Sequence, residues 1–180
     1  FGSVTHDRRE ALWRVHGVAA RLGLPLDADA DEEAPALPAL TPEEAVAWDY
    51  GAAHHSPRGH PMERFRDALT ADGVPDAQTV AHMPAGASVR YVGMVICRQR
   101  PGTARGVVFF TLEDETGFVN LVVWSDVFER HARIGRTATV LEARGRIQRA
   151  DKVVHIVVES LAVPAALARD GVAPRSRDFH

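Results

Sequence analysis

The spacing of apolar residues changes once along the chain, near residue 87, and the change separates a helical half from a strand half. In the first half, Ala11, Leu12, Val15, Val18, Ala19 and Leu22 recur at helical spacing, predicting a helix over 7–22 with Gly23 as its C-terminal cap. Thr41-Pro42-Glu43-Glu44 predicts a second helix start: Thr41 can cap, Pro42 suits the first helical position, and Glu44 completes a capping box. That helix should reach about Ala52. Ser56-Pro57-Arg58-Gly59-His60-Pro61 forces a turn, after which Met62, Phe65 and Leu69 line one face of a further helix ending near Gly73. A short helical turn over 76–82 and a loop at 83–86 close this half. Beyond it, alternation predicts strands over 89–98, 106–113, 118–124, 138–148 and 152–161. A short helix opened by Ser125-Asp126 and running to about Arg133 falls between the third and fourth strands. Asp114-Glu115-Thr116-Gly117 predicts a tight turn with Gly117 at positive φ.

The order β-β-β-α-β-β is that of an OB-type barrel. The expected fold class is therefore α+β, a helical N-terminal half followed by a five-stranded OB-fold β-barrel with a short helix between strands three and four. The expected segments are a helix within 1–24, a connector at 25–40, a helical segment at 41–86, the barrel at 87–163 and a tail at 164–180. Asp27, Asp29, Asp31, Glu32 and Glu33, mixed with Ala and Pro, make the connector self-repelling and poor at burial.

Composition narrows the class only slightly. With 46% apolar and 25% charged residues, the chain has the make-up of an ordinary globular protein. No apolar run approaches the roughly 20 residues that cross a bilayer. The first residues lack the pattern of a signal peptide and an initiator Met, so a piece excised from a longer protein is expected. Cys97 is the sole cysteine, which rules out an intramolecular disulfide and favours a cytoplasmic location. The net charge of −3 is unevenly distributed: residues 1–87 carry 7 Lys/Arg against 14 Asp/Glu, and residues 88–163 carry 11 against 8. A basic second half is compatible with a polyanionic partner.

An OB barrel binds mainly across strands two and three, with the one–two and four–five loops as side walls. The first loop supplies Arg98, Arg100 and Arg105, and the second wall supplies Arg144, Arg146, Arg149 and Lys152. Guanidinium groups suit phosphate contacts. Phe109 or Phe110, Phe118 and Trp124 offer rings for base stacking, worth about 1–3 kcal/mol per base. Alternation sends one of Phe109 and Phe110 inward, and Trp124 suits either core or platform. Catalytic chemistry is not evident. Glu113-Asp114-Glu115 lies on a strand end and tight turn, where neighbouring carboxylates diverge, so a solvated turn is expected rather than a metal site. His54, His55 and His60 have no partner at zinc-like spacing, and neither a Gly-rich phosphate loop nor a nucleophile–base pair is present.

Specific motifs go further. The run from Arg100 to Gly117, RPGTARGVVFFTLEDETG, followed by Asn120 and Val123-Trp124, resembles the OB-domain motif of bacterial C-family DNA polymerases, in the form of their error-prone branch. Arg58-Gly59-His60-Pro61-Met62 resembles the segment that precedes this domain. Asp7-Arg8-Arg9-Glu10-Ala11-Leu12-Trp13 resembles a helix that follows the family's helix–hairpin–helix region, and Ser176-Arg177-Asp178-Phe179-His180 resembles the family's C-terminus. The resemblance implies a parent enzyme that extends primers on damaged templates by two-metal phosphoryl transfer, with Mg2+ held upstream and no cofactor in this fragment. It also implies single-stranded template near the barrel, and a nucleoid-associated role in the SOS response with two partners. These are a Y-family-like clamp-binding protein and a RecA-like accessory protein. The competing expectation is a protein-docking module, in which Arg175, Arg177, Asp178, Phe179 and His180 of the tail, or the acidic helical half, engage such partners.

Overall fold

The computed structural model describes residues 40–53, 56–102, 106–150 and 153–165. The helix expected over 7–22, the connector before residue 40, His54, His55, Arg105, Lys152 and the tail with Arg175, Arg177, Asp178, Phe179 and His180 lie outside the described residues. The chain divides into two units, 1–44 and 45–180. Thr41 and Glu44 form the expected capping box: Thr41 N donates to Glu44 Oε2 at 2.9 Å, and Glu44 N donates to Thr41 Oγ1 at 3.2 Å. They open α1 (Pro42–Ala53).

The second unit is built on a barrel of β1 (Ser88–Gln99), β2 (Val108–Asp114), β3 (Gly117–Val123), β4 (Val140–Ala150) and β5 (Val153–Ala162). The barrel closes in the order β1-β2-β3-β5-β4, and β3 against β5 is its parallel pair. Alternation along β2 and β3 sends Val108, Phe110, Leu112, Val119, Leu121 and Val123 inward. They meet Tyr91, Leu141, Ala143, Ile147, Ile156 and Val158 in the barrel core. Burial of this apolar surface is the main force closing the barrel. Gly145 admits β5 at the β4 bulge, since a Cβ there would stand 2.1 Å from the Val157 carbonyl oxygen.

Two short helices, α4 (Ser125–Arg130) and α5 (Ala132–Thr137), stand where one was expected. Neither Ser125 nor Asp126 caps them: Trp124 holds the N-cap position and makes no side-chain cap bond. On the other side of β1, a 3-10 turn (Glu63–Phe65) runs into α2 (Arg66–Ala71), and α3 (Ala77–His82) follows. Gly73 and Gly86 punctuate these at φ 71° and 84°. Met62, Phe65, Leu69 and Val74 pack on Val92, Met94 and Val140, a second core on the outside of the barrel. No described helix is long and apolar enough to cross a membrane.

Candidate nucleic-acid interface

With Phe110 directed inward at 1% exposure, Phe109 points out of the barrel at 38%. Phe118 on β3 is 63% exposed, Trp124 just beyond it is 53% exposed, and Val153 on β5 is 55% exposed. Register places Phe109 and Phe118 in order on the outer face of β2 and β3. Phe109 faces Val122, Thr111 faces Asn120 and Glu113 faces Phe118, while Val122 and Asn120 continue to Val157 and His155 of β5. The face therefore carries an apolar rung, a polar rung and an aromatic–acidic rung. The rings contribute little to the core, and exposed aromatic surface on a sheet is what single-stranded bases stack on.

The arginines expected around this face do different things. Arg98 is half-buried; its Nε donates to Gly135 O at 2.9 Å, it also donates to Ala138 O, and its guanidinium lies 6.0 Å from the Phe110 ring. It closes the C-terminal end of α5, because the last carbonyls of a helix lack intrahelical donors. Arg149 does the same for α3, donating to Ala81 O at 2.6 Å and Met83 O at 3.1 Å. Arg100, Arg144 and Arg146 remain exposed, each beside a carboxylate: Glu129 at 3.5 Å, Glu142 at 2.9 Å and Glu159 at 3.2 Å. Exposed pairs of this kind hold weakly and exchange readily for a phosphate. Glu142 is the exception in being buried. Burial alone raises its carboxyl, but hydrogen bonds from Arg90 and Arg144 outweigh this and hold it below the usual range.

The acidic turn at 113–115 is not the solvated turn expected from sequence. Asp114 is buried and accepts from Ala77 N at 2.8 Å, Thr116 N at 2.8 Å, Thr116 Oγ1 at 2.8 Å and Arg66 at 3.1 Å. Glu115 pairs with the same Arg66, and Thr116 Oγ1 accepts from Gln78 N at 3.1 Å. The β2–β3 turn thus caps α3 and ties the helical segment to the barrel, a role carried by Arg66, some 48 residues away in sequence. Burial and the neighbouring Asp114 raise the Glu113 carboxyl. His60 stands 3.9 Å from it, its ring lowered by burial, with Nδ1 accepting from Met62 N at 3.0 Å. Burial, then the charge of Glu113, raises Tyr50 to about 12. No group of three or more His, Cys, Asp or Glu among the described residues could hold a metal ion. With Asp114 and Glu115 bound to Arg66, their carboxylates are a poor fit to Mg2+.

The rings are legible in the sequence, and so, by the same rule, are polar neighbours that were not expected to take part. Thr111 and Asn120 lie two residues after Phe109 and Phe118, so the period of two that exposes the rings exposes these as well. His155 and Gln148 join them only through the β3–β5 and β4–β5 pairings.

A family model described as an OB-fold nucleic acid binding domain matches residues 89–164. The chain is 45% identical over 181 residues to the error-prone DNA polymerase of Anaeromyxobacter dehalogenans strain 2CP-1, covering all of this chain and 16% of that protein. It is 41% identical over 203 residues to the error-prone DNA polymerase of Caulobacter vibrioides, covering all of this chain and 19% of that protein. Among solved structures, the asparaginyl-tRNA synthetase of Pyrococcus horikoshii aligns with 49% of this chain and 22% of that one, at 25% identity and a TM-score of 0.42. The motif-based resemblance is thus borne out from end to end: the chain is homologous to a stretch of bacterial error-prone DNA polymerases. It spans less than a fifth of the length of these curated relatives.

Proposed function

We propose that the barrel is the single-stranded-DNA-binding segment of an error-prone DNA polymerase, holding template strand near an active site that lies outside this chain. The observation that carries this reading is the pair of outward rings, Phe109 and Phe118, on the β2–β3 face of an OB barrel. The parent activity in this reading is nucleotidyl transfer across damaged template during the SOS response, in the cytoplasm near the nucleoid. Mg2+ would be held by carboxylates elsewhere in the polymerase. Arg100, Arg144 and Arg146 supply the phosphate contacts, joined by Arg105 and Lys152. Arg98 and Arg149 shape the walls. Segment boundaries at 24, 40, 86 and 163 complete the reading, with 87–163 as the binding domain.

A second reading has one observation in its favour. Arg100, Arg144 and Arg146 each sit beside a carboxylate, which weakens the field that draws in a polyanion. In that case the same apolar face, or the tail at 175–180, would dock a Y-family-like clamp-binding protein or a RecA-like accessory protein. Fluorescence anisotropy with labelled oligo-dT separates the two. The template-holding reading predicts measurable binding, with log affinity falling against log salt by roughly 0.7 for each phosphate contacted. Phe109→Ala/Phe118→Ala should weaken it by about 2 kcal/mol or more with the melting curve unchanged. A folded chain that binds no oligonucleotide at low salt would leave the docking reading in its place.

A further inference from the structure

Between the two rings runs a rung of hydrogen-bonding side chains that stacking does not require. Thr111 Oγ1 donates to Asn120 Oδ1 at 3.0 Å, and on the next pair of strands His155 Nε2 meets Gln148 Oε1 at 3.2 Å. Register joins the four into one row, since Asn120 faces His155 and Gln148 faces His155 from β4. Exposed Thr and Asn on a strand are ordinary where a sheet meets water. These differ in being tied to one another, with Phe109–Val122–Val157 on one side and Phe118 on the other.

The spacing bears on what such a row can touch. Phe118 lies four residues along β3 from Val122, the partner of Phe109, which separates the two ring positions by ~14 Å. A single strand drawn out to about twice the 3.4 Å duplex repeat covers that distance in two nucleotide steps. Bases on Phe109 and Phe118 would then leave one base between them, over Thr111 and Asn120. With the Asn120 oxygen engaged by Thr111, the two N–H donors of this exposed amide are left over for a ligand. Donors in that place match a base carbonyl oxygen, which thymine, cytosine and guanine carry; adenine offers only ring-nitrogen acceptors, and its N1 and N7 stand beside its own N6 amino donors, which face the amide donors unfavourably.

Building on the single-strand-binding reading above, we propose that Thr111, Asn120 and His155 form a base-reading row that selects a carbonyl-bearing base at the nucleotide between two stacked neighbours. Thr111 orients Asn120, and His155 borders the same base from β5. The barrel is then a mild sequence filter as well as a stacking platform.

The test uses the 180-residue chain and a set of short oligo-dT probes that differ at one central position, carrying thymine, adenine or an abasic site. The wild-type chain should bind the thymine probe roughly fivefold more tightly than the adenine or abasic probe, the net scale of one hydrogen bond that replaces bonds to water. Asn120→Ala should remove that preference while leaving the affinity for the abasic probe unchanged. Thr111→Val, which keeps the shape and drops the hydroxyl, should reduce the preference. Equal affinity of the wild-type chain for all three probes would overturn the row, as would a preference that survives Asn120→Ala. Absence of binding to every probe would instead strike at the single-strand-binding reading itself.

Discussion

Arginine was the residue type that invited the simplest expectation, and the structure divides it by what each guanidinium reaches. Arg98 and Arg149 donate to the open carbonyls at the ends of α5 and α3, Arg100 and Arg144 extend into solvent beside carboxylates, and Arg146 pairs with Glu159 while also reaching Gly86 O at 3.4 Å. The difference follows from location. Both carbonyl-bound arginines, Arg98 half-buried and Arg149 exposed, sit at strand ends that pass the C-terminus of a short helix, where backbone acceptors lack intrahelical donors. Arg149→Ala should therefore cost about 1 kcal/mol of stability, read as a lower melting temperature, because two carbonyls lose a charged donor. The salt dependence of oligonucleotide binding should be the same before and after the change. A reduced salt slope would return Arg149 to the set of phosphate contacts.

At the scale of elements, strand and turn positions were legible because a half-buried strand writes its burial into a period of two. Phe110, Leu112, Val119, Leu121 and Val123 show it, and the five strands fall within a few residues of their expected bounds. What sequence did not disclose depends on long-range pairing. The Asp114 knot needs Arg66 and the first turn of α3, and nothing local to Glu113-Asp114-Glu115 signals either. The break between α4 and α5 is similarly invisible in the apolar pattern alone. Gly145 offers a sharp check on the barrel's closure. Its Cα faces the β5 backbone so closely that a methyl group would meet the Val157 carbonyl carbon at 2.9 Å and its oxygen at 2.1 Å. Gly145→Ala should destabilise the fold by roughly 2 kcal/mol or more in denaturant unfolding, since the backbone of β5 must move to admit it. A change within 0.5 kcal/mol, the range of an ordinary surface substitution, would mean that β4 and β5 do not approach in this register.

At the scale of the whole molecule, the second unit presents two outer faces with opposite fates. One, at Val92, Met94 and Val140, is covered by Met62, Phe65, Leu69 and Val74. The other, at Phe109, Phe118 and Val153, is left exposed by the described residues. Among the described residues, the barrel buries one apolar outer patch under its own helices and leaves the second exposed, as a ligand-binding face would be. Motifs made the resemblance to error-prone polymerases readable from the sequence, in the run from Arg100 to Gly117 and the segment at 58–62. They left the choice of binding residues open, since the same motif residues serve as caps, knots and rings.

The most direct measurement is a titration of the isotope-labelled chain with oligo-dT, followed by backbone amide chemical-shift perturbation. Shifts should concentrate at 109–111, 118–122 and 155, with smaller changes near Arg100 and Arg146 and almost none at Met62, Phe65 and Leu69. Perturbation confined to the helical face, or the absence of any change at Phe109 and Phe118, would contradict the assignment of the β2–β3 face as the site where single-stranded DNA is held.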